Sequence, residues 1–218
     1  NYVIFISSLF FFYYYFPLGF DVTDESAYFA ISLKSEYSSN IFNFDLFFKK
    51  HFELTGYNLN IFRFTHLILI ILSNIILCFE TIRYLKIKIN DVNVHIILSI
   101  FLISSISFYH WLWLPTPSYN TYNLIFCTLL SANLINYNSK NIFLLFCKIL
   151  FSSFLTVLIF FSKPTSGLSL IILYFLLILF VFKNKILHFF YYIFLFLFFL
   201  LITKFYYEVS IFEFLIKF

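Results

Sequence analysis

Methionine is absent from this chain of 218 residues, and glycine, proline and cysteine number only three, four and three. Charge is sparse too: Asp and Glu total 10, Lys and Arg 14, together 11% of the residues. Ordinary soluble domains carry about 25% charged and roughly 45–50% apolar residues. So few charges against 62% hydrophobic residues exclude a soluble fold, because a chain of this length could not hide that much apolar surface from water. The solvent that fits is lipid. Cys78, Cys127 and Cys147 are singletons inside apolar runs, with neither metal-ligand spacing nor the even count of a disulfide framework. They read as core or lipid-facing thiols. No Gly-x-x-x-x-Gly-Lys-Ser/Thr run occurs, so no phosphate-cradling nucleotide loop is implied. The net charge of +4 reports loop topology and implies no nucleic-acid partner. With no Met, and a start inside an apolar segment that has no basic n-region before it, truncation at both ends and a shortened first spanning helix are expected.

What the chain has in abundance is long apolar runs. A spanning helix needs about 20 mostly apolar residues. Seven stretches qualify, at about 2–18, 62–80, 93–112, 120–137, 142–161, 167–182 and 186–203. The alternating dyads of a barrel strand are missing, and lipid offers no partner to an open backbone group. The fold class expected is therefore an all-α polytopic membrane protein of about seven transmembrane helices, forming one domain over residues 1–218. Arg83, Lys86 and Lys88 follow the second run, Lys140 the fourth, and Lys183 and Lys185 the sixth. Strict alternation puts all of them on one side, which the positive-inside rule makes cytoplasmic. The protein is thus expected to be integral to the cytoplasmic membrane, with the long loop at about 19–61 outside. Trp111 and Trp113 stand at the outer end of the third run, where interfacial anchoring accounts for them.

The outer loop opens with Asp21-Val22-Thr23-Asp24-Glu25, which holds three of the ten carboxylates. Residues 24–37 suit a short helix along the membrane surface, capped by Asp21 or Thr23, and about 44–54 suit a second. Asp24 and Glu25 can act as first-turn acids that favour a helix N-terminus. They can equally deprotonate a hydroxyl or hold a divalent cation, the only cofactor this sequence suggests. Lys163, before Pro164-Thr165-Ser166-Gly167, reads either as a snorkelling ammonium ahead of a turn or as the partner of a phosphate on a membrane lipid. Ser118 or Asn120 can cap the fourth helix, whereas Tyr119 and Asn120 can also meet a sugar hydroxyl or a pyrophosphate. His110 and Arg63 fall on the same outer side. Lys148, inside the fifth run, snorkels toward the cytoplasmic side. His66, His95 and His188 stand alone near helix ends, with nothing nearby in sequence to complete a metal site.

An apolar first helix followed by an outward loop that opens Asp24-Glu25-Ser26-Ala27-Tyr28-Phe29-Ala30 resembles the GT-C superfamily of membrane glycosyltransferases. Most similar are the bacterial enzymes of the dolichyl-phosphate-mannose protein mannosyltransferase and aminoarabinose transferase type. The stretch from Gly56 to Arg63 is similar to that superfamily's entry into its second helix. The resemblance implies a polyprenyl-phosphate sugar donor and inverting transfer of a hexosyl or pentosyl unit outside the cytoplasmic membrane, in the cell envelope. The acceptor would be a lipid, a glycan or a protein. Asp24 is then the candidate base, and Glu25 orients the acceptor or binds a metal; Lys163, with Arg63 second, is expected to meet the phosphate on the ground of its shared outer side and not of the resemblance. The chain stops soon after the seventh run, where those enzymes continue with further helices. A transporter or channel subunit is the competing class, but it would place charges or broken helices near the midplane. The sixth and seventh runs hold one Gly, no Pro and no midplane charge. A membrane protein of assembly, without catalysis, is the third.

Overall fold

The structure, a computed structural model, describes residues 2–15, 45–87, 92–111, 117–135, 141–182 and 185–206. Among them are eight helices and no strand. They are α1 (Tyr2–Tyr15), α2 (Asp45–Leu54), α3 (Leu59–Tyr84), α4 (Val92–Trp111), α5 (Tyr119–Ile135), α6 (Ile142–Ser162), α7 (Pro164–Phe180) and α8 (Lys185–Tyr206). Three of these helices, at Leu59–Tyr84, Ile142–Ser162 and Lys185–Lys204, are long and apolar enough to cross a membrane, while Asn93–Ser105 and Pro164–Phe180 are shorter apolar helices. Phe143, Ile172 and Ile186 are among the large apolar side chains left mostly exposed. Outward apolar surface on long apolar helices is what lipid demands, and water would penalise it. These are the features of a helical membrane protein.

Helix boundaries follow local chemistry. The apolar run at 62–80 becomes a longer helix, because Asn58 caps its start by accepting from the Asn60 and Ile61 N–H groups. At its other end Arg83 pairs with Glu80 at 2.9 Å, a charged turn that extends the helix past its apolar part. Asn141 caps α6 in the same way, through Phe143 and Leu144. The second short surface segment is present as α2. It ends in a turn with Gly56 at φ +64° and Tyr57 at φ +59°, left-handed positions of which glycine takes the first without strain. The first expected surface helix, 24–37, lies outside the described residues, as do Asp21, Thr23, Asp24, Glu25, Trp113 and the Trp111 side chain.

One expectation is corrected. Pro164-Thr165-Ser166-Gly167 is not a turn: α6 runs to Ser162, α7 begins at Pro164, and Lys163 alone links them, extended at φ −150° and ψ 96°. Proline suits the first helical position because the N–H it lacks would be unpaired there in any case. Gly167, one turn in, lets α7 lie directly against Phe160 of α6.

The bundle centres on α3, α5 and α6. Leu67 and Ile70 of α3 pack on Ile125 of α5, and Leu130 of α5 packs on Leu155 and Ile159 of α6. A third core joins Leu145 and Ile149 of α6 to Tyr174 and Ile178 of α7 and Tyr191 of α8. Lipid gives no hydrophobic drive between helices, so close packing and hydrogen bonds must hold them. Here Tyr191 Oη donates to Thr156 Oγ1 at 2.8 Å. Asn133 Nδ2 donates to Ser152 Oγ at 2.8 Å and to Lys148 O at 2.9 Å. Across the starts of α1 and α4, Tyr2 Oη meets His95 Nδ1 at 3.1 Å. Helix α2 lies over the end where α3 and α5 begin and α6 ends. Its Phe48 and Phe52 pack on Phe62, and its Phe47 reaches Tyr122, Phe126 and the Val157–Phe161 group.

Candidate functional site

Polar side chains at the α2 end gather around the first turn of α5. That turn is built by Ser118 and Thr121. Ser118 Oγ accepts from Thr121 N–H at 3.3 Å, and Thr121 Oγ1 accepts from Ser118 N–H at 2.8 Å. This reciprocal bonding occupies two helix-start donors at once, with Thr in the place a capping box usually gives to Glu or Gln. The Thr121 hydroxyl donates its own hydrogen to Ser118 O, 2.9 Å away. Ser118 is therefore the cap, and Asn120 is left free to do something else.

Asn120 faces the α6–α7 junction. Lys163 Nζ donates to Asn120 Oδ1 at 3.2 Å and sits 5.8 Å from the centroid of the Tyr119 ring, at the edge of cation–π range. Asn123 Nδ2 reaches Ser166 Oγ at 3.4 Å. Lys163, Tyr119 and Asn120, residues 43 apart in sequence or adjacent, thus form one cluster. The start of α7, next in the chain after Lys163, has no side-chain cap, so its first N–H groups lack the side-chain partner that a cap would give them. A half-buried cation and a helix N-terminus both favour a negative group.

The other flank of the same turn meets α3 and α2. His66 Nε2 lies 2.7 Å from Thr121 Oγ1. His51 bridges α2 to both neighbours, with Nε2 2.7 Å from Thr65 Oγ1 and Nδ1 2.7 Å from Tyr122 Oη. Thr65 gives its hydrogen to Phe62 O, as Thr121 does to Ser118 O. With both hydroxyl hydrogens directed to those carbonyls, the threonine oxygens accept from the imidazoles, and on that ground we assign the proton of both rings to Nε2. Tyr122 then donates to His51 Nδ1, and His51 is satisfied at both nitrogens in its neutral form. Desolvation by burial lowers its pKa to about 4. His66 is fully buried, and its Nδ1 has no hydrogen-bond partner. The rings of His66 and Tyr122 meet edge to face at 4.7 Å, and those of His51 and His66 are 5.9 Å apart.

Arg63 is fully buried on α3, one turn before His66. His110 lies in α4, with its side chain outside the described residues. His95 pairs with Tyr2, and His188 stacks on Phe182 at 4.1 Å. Among the described residues, no three of His, Cys, Asp or Glu gather closely enough to hold a metal.

His51 and His66 are 15 residues apart in sequence, and the turn between α2 and α3 brings them together. One signal was present: Thr65-His66 directly precedes the apolar run from Leu67 to Leu72 in α3, and a polar pair inside a bundle helix needs partners. No protein-family model matches the chain, and neither a curated protein nor a solved structure matches it.

Proposed function

We propose that this chain is a membrane glycosyltransferase that moves a sugar from a polyprenyl-phosphate donor to an acceptor hydroxyl at the outer face of the cytoplasmic membrane. The observation that carries the reading is the Lys163 ammonium, held 3.2 Å from Asn120 Oδ1, on the residue that precedes the uncapped start of α7. This is a preorganised cation, partly withdrawn from water, where a phosphate at the membrane surface can reach it. On this reading the chain takes the expected topology of seven spans, with α2 in the outer interface. In that topology the start of α7 and the start of α5 share the outer side, where alternation of the apolar runs is also expected to put Asp24 and Glu25.

The chemistry asks for two groups of opposite sense. Asp24 takes the proton of the acceptor hydroxyl as that oxygen forms its bond to the anomeric carbon. The bond from that carbon to the phosphate oxygen breaks on the opposite face, so the configuration inverts and the electron pair leaves on the phosphate. Lys163, with the Thr165 and Ser166 N–H groups, meets the charge that develops there. Glu25 orients the acceptor. The carboxylates with which a divalent cation would be held are also Asp24 and Glu25.

The test is transfer from a lipid-linked sugar pool in membranes that hold the full-length protein, comparing wild type with Asp24→Asn and Lys163→Ala at equal expression. Loss of transfer in both supports the assignment. Unchanged transfer in Asp24→Asn removes that carboxylate from the chemistry. Absence of transfer by wild type, combined with solute flux across sealed vesicles, turns the reading to a transporter.

A further inference from the structure

We infer that His66 is a positioning residue for the Lys163 cluster, acting through Thr121 and Ser118. The activity arm of this inference rests on the glycosyl-transfer reading; the geometric arm does not. From α3, the His66 ring crosses to α5 and gives Nε2–H to Thr121 Oγ1 at 2.7 Å. The same oxygen accepts from Ser118 N–H at 2.8 Å and its hydrogen goes to Ser118 O at 2.9 Å. One imidazole therefore steadies both backbone groups of the residue that starts α5. Tyr119 and Asn120 come next in the chain, and Asn120 Oδ1 takes the Lys163 ammonium. The relay runs from α3 through the cap of α5 to the α6–α7 junction, and it joins the two polar flanks of a single helical turn.

The unpartnered Nδ1 sharpens the point. A buried polar atom without a partner is costly and calls for an explanation. An aromatic ring of similar size would fill this place, between Tyr122 and His51, at no such cost. What it could not do is donate to Thr121. The donor at Nε2 is the function that accounts for an imidazole here.

The test reads the Lys163 contact directly. In the full-length protein in lipid nanodiscs, the rate at which Lys163 reacts with an amine-directed acylating reagent is followed by mass spectrometry, with Lys185 as an internal reference. His66→Phe keeps a ring and removes the donor. His66→Gln restores an N–H at comparable reach. The expected result is Lys163 acylation about three- to tenfold faster in His66→Phe, the scale of one lost hydrogen bond, and near the wild-type rate in His66→Gln. If His66→Phe does not fold, Thr121→Val against Thr121→Ser makes the same comparison from the other end of the bond. In the transfer assay, His66→Phe raises KM for the polyprenyl-phosphate donor more than it lowers kcat, and His66→Gln recovers it. Equal acylation rates in wild type, His66→Phe and Thr121→Val overturn the inference. So does a folded His66→Gln that behaves as His66→Phe does. A wild type that transfers no sugar but keeps the acylation difference removes the glycosyl-transfer reading and leaves the positioning role standing.

Discussion

Gly167 and Phe160 meet so closely that a Cβ on the glycine would stand 2.5 Å from the Phe160 Cα and 2.9 Å from its backbone N. Both obstacles are backbone, which no rotamer change can relieve. Gly167→Ala must therefore part α7 from α6, at about 1–3 kcal/mol as for other overpacked sites. Thermal unfolding in detergent should fall accordingly. Gly56→Ala makes a useful contrast, since nothing lies within 4 Å of the added atom and only the φ of +64° opposes it. Its cost is about 1 kcal/mol.

His51 gives the docking of α2 a pH dependence whose sign is fixed. Burial holds the ring at about 4, below its ordinary value of about 6.5. The folded state thus binds this proton more weakly than the unfolded one. The contribution is full above about pH 6.5, shrinks as pH falls, and is lost as pH passes below the folded value. Amide exchange of residues 45–54, corrected for its intrinsic pH dependence, should show α2 opening more often at pH 4 than at pH 7. In His51→Gln the difference should vanish. Equal protection of wild type at both pH values would show that the ring does not govern α2.

Tyr191 carries a hydroxyl and a ring whose contributions separate. Its Oη donates to Thr156 Oγ1 at 2.8 Å, while its ring stacks on Tyr174 at 3.7 Å. Tyr191→Phe removes only the bond between helices, worth about 0.6 kcal/mol and at most about 1.7 in membrane bundles. Tyr191→Ala also empties a fully buried site and should cost about 3–5 kcal/mol. Unfolding midpoints of the two variants, measured together, give the division.

Asn120→Asp tests the proposed role of Lys163 without removing the lysine. The new carboxylate would stand against the ammonium at the present 3.2 Å and compete with a phosphate for it. KM for the polyprenyl-phosphate donor should rise about tenfold, equivalent to ~1.4 kcal/mol, with folding stability unchanged or improved. An unchanged KM would mean that the phosphate does not meet Lys163.

Composition was enough to read the helical class, because lipid leaves a backbone few other choices. Alternation of the apolar runs gave Lys163, Tyr119 and Asn120 one expected side, but their meeting as a cluster is visible only in the fold. The Ser118 cap was legible from its residue type. Three things were not. The His51–His66 pairing depends on a turn through two left-handed residues, Gly56 and Tyr57, and tyrosine carries no sign of that conformation. The reach of α3 beyond its apolar part depends on the Asn58 cap and the Glu80–Arg83 pair, to which hydropathy is blind. The Pro-Thr-Ser-Gly run has the composition of a turn, and only the packing of Gly167 on Phe160 reveals it as the first turn of a helix.

The one-residue link at Lys163 bears on how the chain can vary over evolution. Most surface connections absorb insertions without consequence. Here an added residue would rotate α7 against α6 by roughly 100°, since a helix turns once in 3.6 residues, and would carry Ser166 away from Asn123. Length is thus as much a part of this site as side-chain identity. A diverged sequence that keeps the lysine but lengthens the junction retains the charge and loses its address. In seeking kin of this chain, the spacing Ser162-Lys163-Pro164 is a stricter filter than any single polar residue.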